Sequence, residues 1–395
     1  MNHSTKIKSS VIKRIIAAML AFVLDFALAS CKDNKNPTKD ETPVTPSEKK
    51  VAILVAPEAQ YPEDYKAAKA LEAEYPEKVI IREYADSRVL KAGNPEIMTI
   101  SEELAGNAEI GAIIYARATQ FTSNAVNAAK TKNPSIVTVC IEPEESVEKI
   151  SSLSDLVFCI DWAKAANDIV ATAKKQGAKS FVVFSINRHI TDNPLISGAN
   201  GAIKAACDAE GIKYIYENSV DPIYSSGIKG SRQYIKEAVA RLINNKTIEN
   251  TGVALFSTDS AVQQTLVEVA NEREMIYVCP SFPTAYNGIS EVYSAENAAD
   301  FAAYVEAIKV AAKADAEGKA KLSIYNFPMA TTLLKSALHC AFDILNGTTT
   351  AENMAANAAS RAAVAADNKD FTIGAYSEKL SNVFAAYCPA FENVK

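Results

Sequence analysis

Arg188 and His189 are the pair best placed to do chemistry in this 395-residue chain. They stand in Ser185-Ile-Asn-Arg-His-Ile-Thr-Asp-Asn193, just past the apolar run Phe181–Phe184. Arginine presents a planar fork suited to carboxylate, phosphate or carbonyl oxygens. The competing reading is a surface arginine paired with a nearby acid, and the position beyond an apolar run favours a cleft. Thr258 and Asp259 follow Val253–Phe256 in the same way and open a helix. Asp259 or Ser260 can serve as its N-cap. That role is compatible with lining a cleft, because a capping loop at a strand's end faces it. Tyr115 and Arg117 lie at the end of a third apolar run, and Tyr61 lies beyond the first. Trp162, Phe121 and Phe282 add aromatic surface. Aromatics with a few polar groups are how small-molecule sites are built, although any one aromatic is more often core.

Several enzymatic signatures are missing. The chain has no GxGxxG, no GxxxxGK[ST] and no GxSxG, so no dinucleotide loop, triphosphate loop or nucleophile elbow is visible. Beyond the first thirty residues only His189 and His339 remain, which excludes a multi-histidine zinc site. His339 adjoins Cys340, but neighbours on a helix point in different directions, and a packed helix face is the better reading. Binding without catalysis, cofactor or metal is therefore expected.

The elements that position these residues repeat. Runs begin at Val51, Val79, Ile110 and Ile136, at intervals of 28, 31 and 26 residues. A strand, a helix and two turns fill such an interval, so the pattern reads βαβαβαβ with a parallel sheet. The runs are apolar without alternation, as in strands covered on both faces. A fifth run, Leu156–Ile160, ends in Asp161-Trp162. A second series follows: Phe181–Phe184, Tyr214–Tyr216, Val253–Phe256, Ile276–Cys279 and Leu322–Asn326. The fold class is α/β, with two doubly wound parallel-sheet lobes and inter-lobe crossovers. The expected lobes are 50–162 plus 328–366, and 163–327 plus 367–395. In open sheets of this kind ligands sit beyond the carboxyl ends of the strands.

Charge and cysteine usage narrow the function. Residues 1–30 hold four positive side chains and one negative, so their removal takes the formal charge from −6 to −9. An acidic chain without a basic cluster is a poor nucleic-acid binder. Six cysteines follow residue 31, none in CxxC spacing. Cys140, Cys159 and Cys279 sit in strand-like runs, where cysteine acts as a small hydrophobe.

Cys31 is different. It follows Leu28-Ala-Ser30, with Lys6, Lys8, Lys13 and Arg14 upstream and the apolar run Ile15–Leu24 between. A cationic start, a short apolar core and small residues make an export signal, and the cysteine makes it resemble a bacterial lipoprotein signal. The resemblance implies a signal peptide over 1–30 and lipidation of Cys31. The product would be an extracytoplasmic protein anchored to the bacterial cell envelope by an N-terminal lipid. Residues 31–49 carry three prolines and little apolar surface, and read as a disordered tether.

Phe256-Ser-Thr-Asp-Ser-Ala-Val-Gln-Gln-Thr-Leu266 resembles the second-lobe ligand segment of type I periplasmic solute-binding proteins. That superfamily includes sugar receptors and nucleoside-binding basic membrane lipoproteins. Lys321–Met329 through Asp343-Ile-Leu-Asn-Gly347 is similar to its late crossover and first-lobe helix. Phe184-Ser-Ile-Asn-Arg-His189 and Cys279-Pro-Ser-Phe-Pro-Thr-Ala-Tyr-Asn-Gly288 look like a branch found among bacterial lipoproteins. The resemblance implies a receptor closing on a small polar ligand, such as a nucleoside or sugar, for a membrane permease (ABC transport) or sensor. It implies ligand roles for Arg188 and Asp259, with His189, Thr258, Tyr115, Arg117, Trp162, Phe282 and Tyr61 around them. The alternative is a surface adhesin lipoprotein whose receptor-like fold holds no ligand.

Overall fold

The computed structural model describes residues 48–87, 94–280, 288–295, 298 and 300–395. The first strands are β1 (Lys50–Val55), β2 (Val79–Glu83), β3 (Ile110–Tyr115), β4 (Val137–Ile141) and β5 (Leu156–Ile160). Every residue of β3, β4 and β5 is buried. β-Branched runs without a polar face need cover on both sides, and a parallel sheet flanked by helices supplies it. β2, at the edge of the sheet, places Arg82 and Glu83 at its end, polar residues of the kind that blunt an exposed strand edge.

The helices between strands carry their own start and stop signals. Helix α1 (Pro62–Glu74) opens with proline, and α2 (Glu96–Gly106), α3 (Thr122–Lys132) and α4 (Val147–Ser151) follow in the first lobe. Asp161 caps α5 (Trp162–Lys175) by accepting from Lys164 N at 3.2 Å. After β6 (Ser180–Ser185) come a single short turn, α6 (Asn187–Thr191), and then α7 (Pro194–Glu210). Asn193 caps α7, and Gly211, at φ 67°, ends it in the left-handed region that glycine enters without cost.

The second sheet is completed by β7 (Lys213–Asn218), β8 (Val253–Ser257), β9 (Ile276–Cys279) and β10 (Lys321–Tyr325). Its helices are α8 (Gly227–Asn244), α9 (Gln263–Arg273), α10 (Ile289–Tyr293) and α11 (Phe301–Ala314). The chain then returns to the first lobe as α12 (Met329–Leu345) and α13 (Ala351–Ala366). Strands β11 (Thr372–Ala375), β12 (Val383–Tyr387) and β13 (Phe391–Asn393) finish it.

The strand orders are β11-β12-β5-β4-β3-β1-β2 and β13-β10-β9-β8-β6-β7. Both lobes thus contain the doubly wound order 2-1-3-4-5, with a switch point between first and third strands. Two parallel-sheet lobes are what the strand spacing implied. The chain crosses between them three times, at 161, at 326–328 and at 388–390.

The lobe boundaries need one correction. The sequence reading placed 367–395 wholly in the second lobe. In the structure β12 pairs parallel to β5 and β11 pairs antiparallel to β12, so both belong to the first sheet. Only β13 reaches the second sheet, antiparallel to β10. The reason is the outer edge of β5, a row of backbone donors and acceptors that would otherwise be unpaired.

Gly288 marks a tight junction in the second lobe. Its φ is +82°, and an added Cβ would lie 2.5 Å from the backbone carbonyl carbon of Gln263. Gly288→Ala is expected to cost about 1–3 kcal/mol of unfolding free energy. A urea denaturation series checks this, and an unchanged midpoint would contradict the packing described.

Candidate functional site

Segments that follow β1, β2 and β4 in the first sheet and β6 and β8 in the second meet between the lobes. Gln60 and Tyr61 come from the loop after β1, and Arg188 and His189 from that after β6. Thr258, Asp259 and Ser260 come from the loop after β8. With Ser87, Glu144 and Ile196 they line a narrow, partly open inter-lobe cavity of about 10 Å³. That volume holds about one water-sized group, so a larger ligand requires the lobes to part. Nearly every lining group is polar; Ile196 is the aliphatic exception.

Each group is held. Tyr61 donates its hydroxyl to Glu144 Oε1 at 2.9 Å. Gln60 donates to Ser87 Oγ at 2.7 Å and accepts from Ser87 N at 3.0 Å, which ties the β1 and β2 loops together. Arg188 Nε donates to Asp221 Oδ2 at 2.7 Å. Thr258 Oγ1 lies 2.6 Å from Ser185 Oγ and 3.1 Å from His189 Nδ1. Asp259 Oδ1 accepts from Ala261 N at 3.0 Å. Asp259 therefore caps the 3₁₀ turn Ser260–Val262 and lines the cavity at once, joining the two roles left open by the sequence.

Two charge environments result. Burial, reinforced by Arg188, lowers His189 to about 3, so its imidazole is neutral at physiological pH. Burial raises the Glu144 carboxyl, against the Tyr61 hydroxyl and the nearby arginines.

Arg117, Tyr115 and Trp162 lie elsewhere. Arg117 is buried beneath the cavity, donating to Asp64 Oδ2 at 2.9 Å with its guanidinium 4.6 Å from the Tyr61 ring centre. It positions Tyr61 and does not appear among the cavity-lining groups. Tyr115 is a core residue that donates to Ser101 Oγ at 3.0 Å. The two-residue repeat of β3 turns its side chain onto the face covered by α2. Trp162 lines a separate cavity of about 320 Å³ beside the first crossing, with Leu195, Gly198 and Tyr376. Phe282 and Cys31 fall outside the described residues.

The sequence reading missed Glu144. It lies in Glu142-Pro-Glu-Glu145 directly after β4, and its position beyond a strand's carboxyl end was the available signal. A run of acids reads by default as a solvated face.

Two buried acids, Glu142 and Glu63, were also missed, and both bond backbone beside inter-lobe crossings. Glu142 accepts from the backbone of Ile160, and Glu63 Oε1 accepts from Ala330 N at 3.0 Å. Burial raises Glu142 to about 7. Burial, with Asp64 beside it, raises Glu63 to about 8. Among the described residues no three His, Cys, Asp or Glu side chains converge to hold a metal ion. The six cysteines from Cys140 to Cys388 are buried thiols.

Two doubly wound lobes, three crossings and a polar cavity at both switch points define a type I periplasmic-binding fold. The chain belongs to the family described as "Protein of unknown function (DUF3798)", whose model matches residues 49–323. A "Putative transcriptional regulator" from Clostridium difficile 630 superposes with a TM-score of 0.66 at 17% identity, covering 88% of this chain and 100% of that one. An ABC transporter solute-binding protein from Clostridium phytofermentas with bound L-rhamnose gives 0.52 at 10% identity, covering 88% and 96%. These likenesses show the fold. Two proteins of Treponema pallidum (strain Nichols), both described as "Uncharacterized protein", are similar in sequence. One is 28% identical over 120 residues (30% of this chain, 55% of the relative). The other is 30% identical over 113 residues (29% and 51%). The chain thus spans about half the length of the curated relatives it matches.

The hinge acids carry a pH dependence. Glu63 and Glu142 bind their protons more tightly when folded than when unfolded, where such a carboxyl ionises near 4.5. Their contribution to stability is fully present below 4.5 and is lost as pH rises through about 7 and then about 8. The melting temperature is expected to fall across that window. Glu63→Gln, which keeps the acceptor for Ala330 N, should flatten its upper half and stabilise the protein above it by on the order of 1–3 kcal/mol. Differential scanning calorimetry against pH checks this, and parallel wild-type and variant profiles would refute it.

Proposed function

We propose that this protein is a lipid-anchored, extracytoplasmic receptor that closes on a small polar ligand for uptake or sensing. The observation that carries the reading is the polar cavity at the two switch points, lined by side chains from both lobes. Ligand that touches both lobes favours the closed form by its differential affinity for it. The L-rhamnose-bound neighbour of the same fold supports a small-molecule ligand. Arg188 and Asp259 would meet the ligand from the second lobe, and Glu144 and the Tyr61 hydroxyl from the first.

Binding without catalysis is favoured by the state of His189. It lies within reach of a hydroxyl, Thr258 Oγ1, as a nucleophile–base pair would. A base held near 3 has little driving force to take a hydroxyl proton, and Ser185 also engages that hydroxyl. The pair therefore suits a fixed, neutral hydrogen-bonding wall. An open groove of about 970 Å³ lies between α2 and α3, lined by Met98, Glu102, Asn124 and Lys132 among others. Its mixed polar lining differs from the apolar patch expected of an adhesin.

Thermal-shift screening of the purified protein against sugars, nucleosides and amino acids tests the receptor. One class should raise the melting temperature, by the equivalent of about 2.7 kcal/mol at a hundredfold excess over Kd. His189→Ala should weaken that binding about tenfold by removing one partly buried hydrogen-bonding wall. No stabilisation by any class would overturn the reading.

The anchor rests on the Leu-Ala-Ser-Cys31 signal and on the polar, proline-containing composition of residues 32–49. No helix among the described residues is long and apolar enough to cross a membrane. Cys31→Ser is expected to move the protein from the membrane to the soluble fraction and to abolish palmitate labelling. Retention of label in the variant would exclude this cysteine as the acceptor.

A further inference from the structure

A second cavity, of about 320 Å³, lies between the lobes beside the first crossing. Its walls come from both lobes. Ile160 ends β5 and Ala385 lies in β12, both strands of the first sheet. Leu195, Gly198 and Ala202 belong to α7 of the second lobe. Trp162 opens α5 at the crossing itself and is 7% exposed. Tyr376 follows β11, where its backbone N–H donates to Val383 O at 2.9 Å and its side chain stays 39% exposed. The two aromatics thus stand at different depths, Trp162 within the wall and Tyr376 toward solvent.

Size and lining define what fits. Small-molecule sites span roughly 300–1,000 Å³ and are mostly apolar and aromatic, with a few polar groups. Of the described lining residues only Asp161 carries a charge. It is committed to the start of α5: Oδ1 accepts from Lys164 N at 3.2 Å, and Oδ2 lies 3.0 Å from Lys164 Nζ. An ionic ligand would shed its water without a dedicated counter-charge in that lining. A Cβ added at Gly198 would meet nothing within 4 Å, so the cavity reaches down to the helix backbone. Aromatic walls attract a further ring beyond the area that it buries.

We propose that this cavity is a second binding site, separate from the polar one, and that it takes an uncharged small molecule bearing a planar ring. Trp162 and Tyr376 supply the aromatic contacts, and the backbone at Gly198 supplies the floor. The two sites adjoin through the first turn of α7, where Leu195 lines this cavity and Ile196 the polar one.

Benzyl alcohol, cyclohexylmethanol, benzylamine and benzoate test this on the purified protein at neutral pH. Trp162 is the single tryptophan of the chain, so one indole N–H resonance reports on this cavity. Titration calorimetry gives the affinities. Benzyl alcohol should shift that resonance saturably and bind about two- to tenfold more tightly than cyclohexylmethanol, its non-planar counterpart. Benzylamine and benzoate should bind about tenfold more weakly than benzyl alcohol. Gly198→Leu fills the floor; leucine is the better helix former, so the variant should melt no lower than wild type while binding falls about tenfold or more. Tyr376→Ser, which keeps the backbone bond to Val383, is the second variant and should weaken binding about threefold. Circular dichroism confirms that each variant is folded. An indole resonance unmoved by every probe, or binding that both variants leave intact, overturns the site. Equal affinity for cyclohexylmethanol, or tighter binding of either ion, overturns the planar, uncharged assignment.

Discussion

The buried ion pair between Arg117 and Asp64 underlies the arrangement of the inter-lobe site. It joins the end of β3 to the first turn of α1 at 2.9 Å, with both side chains almost wholly removed from water. Loss of one partner would strand a buried charge, a cost of about 3–5 kcal/mol in comparable pairs. The pair sits at the first-lobe switch point, where the sheet's winding reverses and leaves a crevice. Its guanidinium lies over the Tyr61 ring, and the Tyr61 hydroxyl in turn fixes Glu144. One arginine that does not line the cavity thereby places two groups that do.

The second lobe achieves the same end with different parts. Arg188 leans on Asp221, and the hydroxyl chain from Ser185 through Thr258 to His189 sets the imidazole. The first-lobe side chains of Glu142 and Glu63 accept from the backbone N–H groups of Ile160 and Ala330, which flank two of the crossings. Lobe motion must therefore be absorbed near these contacts, while each sheet moves as a packed unit.

Much of the architecture was legible in the chain because of one physical rule. A parallel strand buried on both faces must be apolar throughout, and such runs recur near every thirty residues here. Spacing then implied two parallel sheets, and strand ends directed attention to Arg188, His189, Thr258, Asp259 and Tyr61, which the structure brings together. The same logic failed for Tyr115, because strand alternation, and not proximity to the strand's end, decides which face a side chain takes. It failed for Trp162 because a crossing presents two sides, and the indole occupies the one away from Arg188. It failed for β11 and β12 because β12 pairs with β5, more than 200 residues earlier in the chain, and carries β11 with it.

The sequence by itself determined the two-lobed, parallel-sheet architecture and the strand ends beyond which a ligand is expected. Those follow from local apolar patterning and from the handedness and brevity of βαβ connections. The resemblance carried by Arg188 and Asp259 pointed to the fold. Tertiary structure alone decided which acids are buried. Glu63, Asp64 and Glu142 look in the chain like ordinary solvated residues, and only packing takes them out of water. Burial depends on what covers a side chain, and for these three the cover comes from distant segments, among them the crossing strands and Arg117.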